Sequence, residues 1–240
     1  MWFCEKAAEC RGVDIPKKNL SDPVTRAKAE TAYDAVLQSL YSYALAPGQH
    51  LSDQDLAFKL NIGRTPIREA LIRLAAEEKI IALPKRGYFT RPLIEHALMD
   101  SYVVAREILA FALLRGRPQA RYQTARCDEE SPAKLAFRAE AIFTEIAQKS
   151  SNCEICHIIE KFSFCTHPLR VAITTSQRSI SFRRSLDGLA DAMAQLGNAT
   201  SVVKSALMSH LDLEQGFLSD VVQDINARWL TSTTLAARSS

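Results

Sequence analysis

The sequence predicts a mainly α protein in two parts: an N-terminal helix-turn-helix unit with a β-hairpin, and a C-terminal all-helical bundle. Three observations carry this. Apolar residues recur at spacings of three and four through most of the 240 residues. Strand-like runs occur only between His50 and Thr90. The positive excess lies in residues 1–92, which hold 14 Lys/Arg and 11 Asp/Glu against 16 of each in the remainder. A basic module beside a neutral one suits a chain of which only one part meets an anion.

Residues 1–26 contain Pro16, Pro23 and Lys17-Lys18 without sustained period, and read as a loose arm. From Ala27 the pattern is helical, with Ala32, Val36, Leu37, Leu40, Tyr41 and Ala44 on one face, until Pro47-Gly48 ends it. A short segment at His50-Leu51 leads to Ser52, a good N-cap, with Asp53 and Asp55 placed to favour the positive end of a helix dipole. Leu56, Ala57 and Leu60 give that helix its apolar stripe. Asn61-Ile62-Gly63 is a tight turn in which Asn61 or Gly63 supplies a positive φ. A third helix follows, with Thr65 expected as N-cap and Pro66 at the first helical position. Its Ile67, Ala70, Leu71 and Leu74 point one way, and Arg64, Arg68 and Glu69 the other. Ile80–Leu83 and Tyr88–Thr90 then form a hairpin whose tip, Pro84-Lys85-Arg86-Gly87, is basic. This order is that of a winged helix-turn-helix, placed over 27–92. Residues 93–228 read as helical segments at 95–115, 133–148, 153–163, 177–196 and 199–224, broken at Gly116-Arg-Pro, Ser150-Ser-Asn, His167-Pro and Gly197-Asn, with a tail over 229–240.

The stretch from Ala35 to Arg91 resembles the GntR family of bacterial regulators. The residues that carry the resemblance are Ala46-Pro-Gly-Gln-His-Leu, Asp55-Leu-Ala-Phe-Lys-Leu-Asn-Ile-Gly-Arg-Thr-Pro-Ile-Arg-Glu-Ala-Leu71, Leu74 and Lys85-Arg-Gly87. The remainder is similar to the FadR-type subfamily with its FCD effector domain, through Arg106-Glu-Ile-Leu, Ile142-Phe-Thr-Glu-Ile-Ala-Gln-Lys-Ser-Ser-Asn152 and Ala206-Leu-Met-Ser-His-Leu211. The resemblance implies a homodimer that binds a palindromic double-stranded operator and is modulated by a small molecule, often an organic acid.

In the major groove each base pair shows its own donor and acceptor pattern, and an arginine fork matches guanine O6 and N7. Arg64 and Arg68 stand four positions apart, so both reach one groove. The Thr65 hydroxyl and nearby helix amides suit a phosphate. Lys85 and Arg86 bring charge to the backbone or minor groove, and Gly87 allows close approach. Family residues matching Arg64, Arg68 and Gly87 contact DNA. Gln54 stands where some relatives carry a DNA-touching arginine, which alters the expected operator. Arg68 has the competing reading of an ion pair with Glu69 or Glu77; Arg73 divides evenly between DNA contact and structure, and Lys59 reads as solvated.

Many FCD domains hold a divalent metal through one Asp and three His. Here Thr144 replaces the histidine after Phe143, none stands near Leu186-Asp187, and His210 alone falls on a ligand position, with Asp100 of uncertain register. No cofactor is therefore expected, although the resemblance makes a divalent metal conceivable. His210 reads either as an effector-pocket residue or as a hydrogen-bonded bundle histidine. Arg106 either clamps an effector carboxylate or pairs with Glu140 or Glu145. Cys153-Glu-Ile-Cys156-His157 has haem-attachment spacing but reads as apolar side chains at a helix start. A metal- or redox-sensing regulator using Cys153, Cys156, His157, Cys165 and His167 is the alternative.

An enzyme is not expected: no nucleophile elbow or phosphate-cradling loop occurs, and there are only 8 glycines. No apolar run reaches the roughly 18 residues of a membrane span. With Glu5 and Lys6 where a secretory signal is apolar, the expected location is cytoplasmic. Six irregularly spaced cysteines fit reduced thiols there.

Overall fold

The structure is a computed structural model. It describes residues 23–42, 45–116, 131–194 and 200–236, with side chains over 27–42, 45–116, 131–194 and 200–227. Residues 1–22 of the arm expected over 1–26, the segment 117–130, the break at Gly197-Asn198, residues 237–240, and Cys4, Cys10 and Cys127 lie outside these residues. Two compact units meet in sequence at Arg91/Pro92.

The first unit opens with α1 (Pro23–Tyr41), which begins four residues before Ala27. A proline suits a helix start because the first turn has no intrahelical use for its missing N–H. Then come β1 (His50–Leu51), α2 (Asp53–Leu60), α3 (Arg64–Ala76), β2 (Ile80–Leu83) and β3 (Gly87–Thr90). The sheet order is β1-β3-β2, antiparallel, with Leu51 opposite Tyr88 and Leu83 opposite Gly87. Ala32, Tyr33 and Val36 of α1 pack with Leu56 of α2 and with Ile67, Ala70, Leu71 and Leu74 of α3. This core uses one face of each helix and leaves the opposite face of α3 in water.

The turn between α2 and α3 takes its left-handed residue at Asn61, φ 52°, whose N–H bonds back to the end of α2. Gly63 is extended (φ −63°, ψ 153°) and is the N-cap of α3. The expected cap at Thr65 is therefore displaced: the helix starts at Arg64, Thr65 lies within its first turn, and no side chain caps it.

The second unit is helical throughout its described residues: α4 (Glu95–Arg115), α5 (Pro132–Lys149), α6 (Cys153–Thr174), α7 (Ser179–Ala194), α8 (Thr200–Gly216) and α9 (Leu218–Ala236). One core joins all six, centred on Tyr102, Leu109, Ile142, Phe143, Ile159, Phe182 and Leu211. The break expected at His167-Pro does not occur, since Pro168 lies inside α6. Its lost backbone hydrogen bond is outweighed by apolar burial of Phe162, Leu169 and Ile173 on both sides. The segment read as one helix over 199–224 is two, parted at Gly216-Phe217, where Phe217 N–H bonds to the Glu214 carbonyl. The tail read from 229 is helical to Ala236; no Gly or Pro interrupts that stretch.

Candidate nucleic-acid interface

Arg64 and Arg68 project from the first two turns of α3 with side chains 57% and 61% exposed. Both turn to one carboxylate, Asp53 at the start of α2. Arg68 Nη2 donates to Asp53 Oδ2 at 2.6 Å, and Arg64 Nη2 donates to Oδ1 at 3.2 Å. The Arg68 hydrogen bond, with a smaller contribution from Arg64, holds the Asp53 carboxyl below its usual range. Arg68 therefore pairs with neither Glu69 nor Glu77. Asp53, read from the sequence as a helix-dipole residue, aligns the two guanidiniums. Asp53 is on α2 and the two arginines are on α3, beyond the intervening turn, so only the fold reveals the pairing.

Gln54 and Thr65 are exposed close by in sequence. At the hairpin tip Lys85, Arg86 and Gly87 are exposed, with φ 64° at Lys85 and 91° at Gly87. A Cβ at Gly87 would stand 3.0 Å from His50 Nε2, so the glycine is already required by its backbone and by the neighbouring ring. Arg73 belongs to the scaffold. It bonds Glu77 and Glu30 at 3.0 and 2.9 Å and lies over the Tyr33 ring at 3.9 Å. Beside it Tyr33 and Lys79 both bond Glu77. Burial, then the Glu77 hydrogen bond, pushes the Tyr33 hydroxyl up to about 12. Lys59 is exposed.

In the helical unit the expected site residues separate. Arg106 is on the flank of α4, paired with Asp212 and donating to Gln215 at 3.0 Å. It does not face the interior as a carboxylate clamp, and its partners are on α8 instead of Glu140 or Glu145. Asp100 is exposed. His210 is fully buried, with Nδ1 3.0 Å from Ser185 Oγ and Nε2 3.2 Å from Glu214 Oε1. It is a bundle histidine bonded between helices. Cys153 and His157 are exposed, Cys156 and Cys165 half-buried, and His167 is buried with Nδ1 2.7 Å from Glu140. Among the described residues no three His, Cys, Asp or Glu side chains are grouped to hold a metal.

Sequence reading missed the centre of this unit. Arg170, fully buried, donates from Nε to both Glu214 oxygens at 2.9 and 3.1 Å and from Nη1 to Glu140 at 3.4 Å. Tyr102 donates to Glu214 Oε2 at 2.5 Å. The guanidinium lies 5.0 and 5.1 Å from the rings of Phe143 and Phe162. Burial alone raises the Glu214 carboxyl, but the Arg170 charge and the close His210 Nε2 outweigh it and hold it down to about 2. The available signal was a charged residue at a core-facing position: Ile159, Phe162, Thr166, Leu169, Arg170 and Ile173 share one helical stripe.

Because the folded pKa of Glu214 lies below its ordinary 4.5, its stabilising contribution is present above pH 4.5 and fades as pH falls toward 2. Thermal melting from pH 6 to pH 2.5 should show wild type losing more stability below 4.5 than Glu214→Gln. Parallel losses would contradict the assigned ionisation.

Residues 28–90 match the family described as "Bacterial regulatory proteins, gntR family". The N-terminal unit thus has a winged helix-turn-helix fold, and the family model that it matches is that of the GntR regulators. The "Nta operon transcriptional regulator" of Aminobacter aminovorans is 39% identical over 61 residues, 25% of this chain and 29% of that protein. The "HTH-type transcriptional repressor RspR" of Escherichia coli K12 is 31% identical over 61 residues, 25% of this chain and 27% of that one. The matched segment spans under a third of either relative. Among solved structures, E. coli McbR/YncC superposes with TM-score 0.53 at 16% identity, covering 82% of this chain and 98% of that one. A transcriptional regulator GntR from Rhodococcus sp. RHA1 gives 0.50 at 18% identity, covering 83% and 99%. These likenesses show the fold alone.

Proposed function

We propose that this chain is a transcription regulator that reads an operator with α3 and steadies it with the β2–β3 wing. The observation that carries the reading is the exposed pair Arg64 and Arg68, held side by side on a helix whose other face is core. On DNA the two guanidiniums exchange the Asp53 carboxylate for guanine edges, and each bidentate contact contributes about 1–3 kcal/mol of discrimination. Asp53 keeps the fork aligned beforehand and repels phosphate, which disfavours random duplex. Thr65, Gln54, Lys85 and Arg86 contact phosphates or flanking bases, and the left-handed Lys85-Gly87 tip narrows the wing so that it reaches the backbone.

The chain acts as a homodimer on a palindromic operator. Two modules one helical turn apart multiply the few contacts that one makes. The outward face of α4 supports pairing, because Val103, Val104, Phe111 and Leu114 are all exposed there. The helical unit is FCD-like and modulates operator affinity on binding a small acidic metabolite in the cytoplasm. The metal- or redox-sensing reading has no grouped ligand set among the described residues to favour it.

Selection of bound sequences from random duplexes by the full chain tests the proposal. It should yield an inverted repeat with half-sites about 10 base pairs apart; recovery of unenriched sequence would overturn it. A metabolite screen for release from that repeat tests the effector.

A further inference from the structure

The metal that the FCD-like resemblance implies does not suit the residues present. Position 144 offers a neutral threonine hydroxyl, Asp100 is exposed, and Ser185, beside the place of the second expected histidine, is bonded to His210 Nδ1. The other His210 nitrogen faces Glu214, a carboxylate already engaged by Arg170 and Tyr102. A divalent ion at His210 Nε2 would therefore displace an interior ion pair and stand against a guanidinium. Neutral hydroxyls and one imidazole are a poor exchange for the water that such an ion must give up.

The interior has its own cation instead. We infer that Arg170 is the positive centre of this helical unit, held by Glu214 and Glu140 as a metal would be held by its ligands, so that the unit folds without a divalent ion. The guanidinium joins α6 to α5 through Glu140 and to α8 through Glu214, and Glu214 carries the link to α4 through Tyr102. Phe143 and Phe162 flank it with their rings, which suits a desolvated cation. Arginine fits the role because it stays charged when buried, and its planar fork can satisfy several acceptors at once. Nη2 has no acceptor among the described residues. The inference concerns the helical unit alone, so its failure would leave the DNA-reading proposal untouched.

The full chain, purified without a metal-binding tag, provides the test. It is dialysed against Mn2+, Ni2+ or Zn2+, then against buffer, and assayed for retained metal and for Tm with and without EDTA. The expected result is under about 0.1 ion per chain and a Tm unchanged by EDTA. About one retained ion per chain whose removal lowers Tm by several degrees would overturn the inference. Arg170→Met should lower Tm by roughly 10 °C, because Glu214 and Glu140 lose their buried cation. Arg170→Met/Glu214→Gln should recover part of that loss. A wild-type Tm in the single variant, or no recovery in the double, would also overturn it. Should Arg170→Met fail to fold, soluble double variant still supports the inference, and an equally unfoldable double variant counts against it.

Discussion

Replacing Arg64 and Arg68 together with alanine should weaken operator binding by about 2–6 kcal/mol while leaving the melting temperature unchanged, since each bidentate arginine contributes about 1–3 kcal/mol. Both side chains are more than half exposed and face away from the core formed by Ile67, Ala70, Leu71 and Leu74. Their one protein partner among the described residues, Asp53, is on the surface, and exposed ion pairs of this kind contribute little to folding. Random duplex should weaken too but by less, because the lost charges and the unpaired Asp53 carboxylate reduce phosphate attraction while Lys85 and Arg86 keep theirs. Filter binding or fluorescence anisotropy on operator and scrambled duplex at fixed salt reads both quantities. Lys85→Ala gives the contrasting pattern, a uniform loss on all duplexes with a shallower salt dependence.

Phe143→Ala should destabilise the helical unit by about 3–5 kcal/mol. Phe143 is fully buried at the meeting of α5, α6 and α8, 6.1 Å from both the Phe162 and His210 rings and beneath the Arg170 guanidinium. Truncation opens a cavity and also removes a π face from a desolvated cation, so the cost exceeds that of a purely aliphatic site. Phe143→Leu keeps most of the apolar volume and should lose less. Denaturant unfolding followed by circular dichroism measures both; an alanine variant within about 1 kcal/mol of wild type would show a core able to collapse around the gap.

The winged unit was legible because its signals are local. Ser52 caps α2 through its own hydroxyl, Pro47-Gly48 closes the region after α1, and the apolar run Ile80–Leu83 and Tyr88–Thr90 on either side of the basic tip give the hairpin. Thr65 misled by two residues: the N-cap is the extended Gly63, which has no side chain to cap with, and the helix begins at Arg64. The helical unit was legible as helices but not as a site. Local punctuation suggested a break at Pro168, whereas packing on both sides of it decides. The motif around Arg106 leaves an inward clamp and an ion pair open, and the fold gives it the ion pair with Asp212 and leaves the centre to Arg170. Pairings across 44 or 112 residues, such as Arg170 with Glu214 and Tyr102 with Glu214, have no spacing by which a single sequence can announce them.

Atomic substitution in the operator tests the reading by Arg64 and Arg68 most directly. Duplexes carrying 7-deazaguanine lack the N7 acceptor yet keep base pairing. The wild-type chain should lose roughly tenfold or more in affinity at one or two guanines per half-site, and the Arg64→Ala/Arg68→Ala chain should lose nothing further at those positions. Equal losses in both proteins, or no loss in either, would contradict the assignment of base reading to these two side chains.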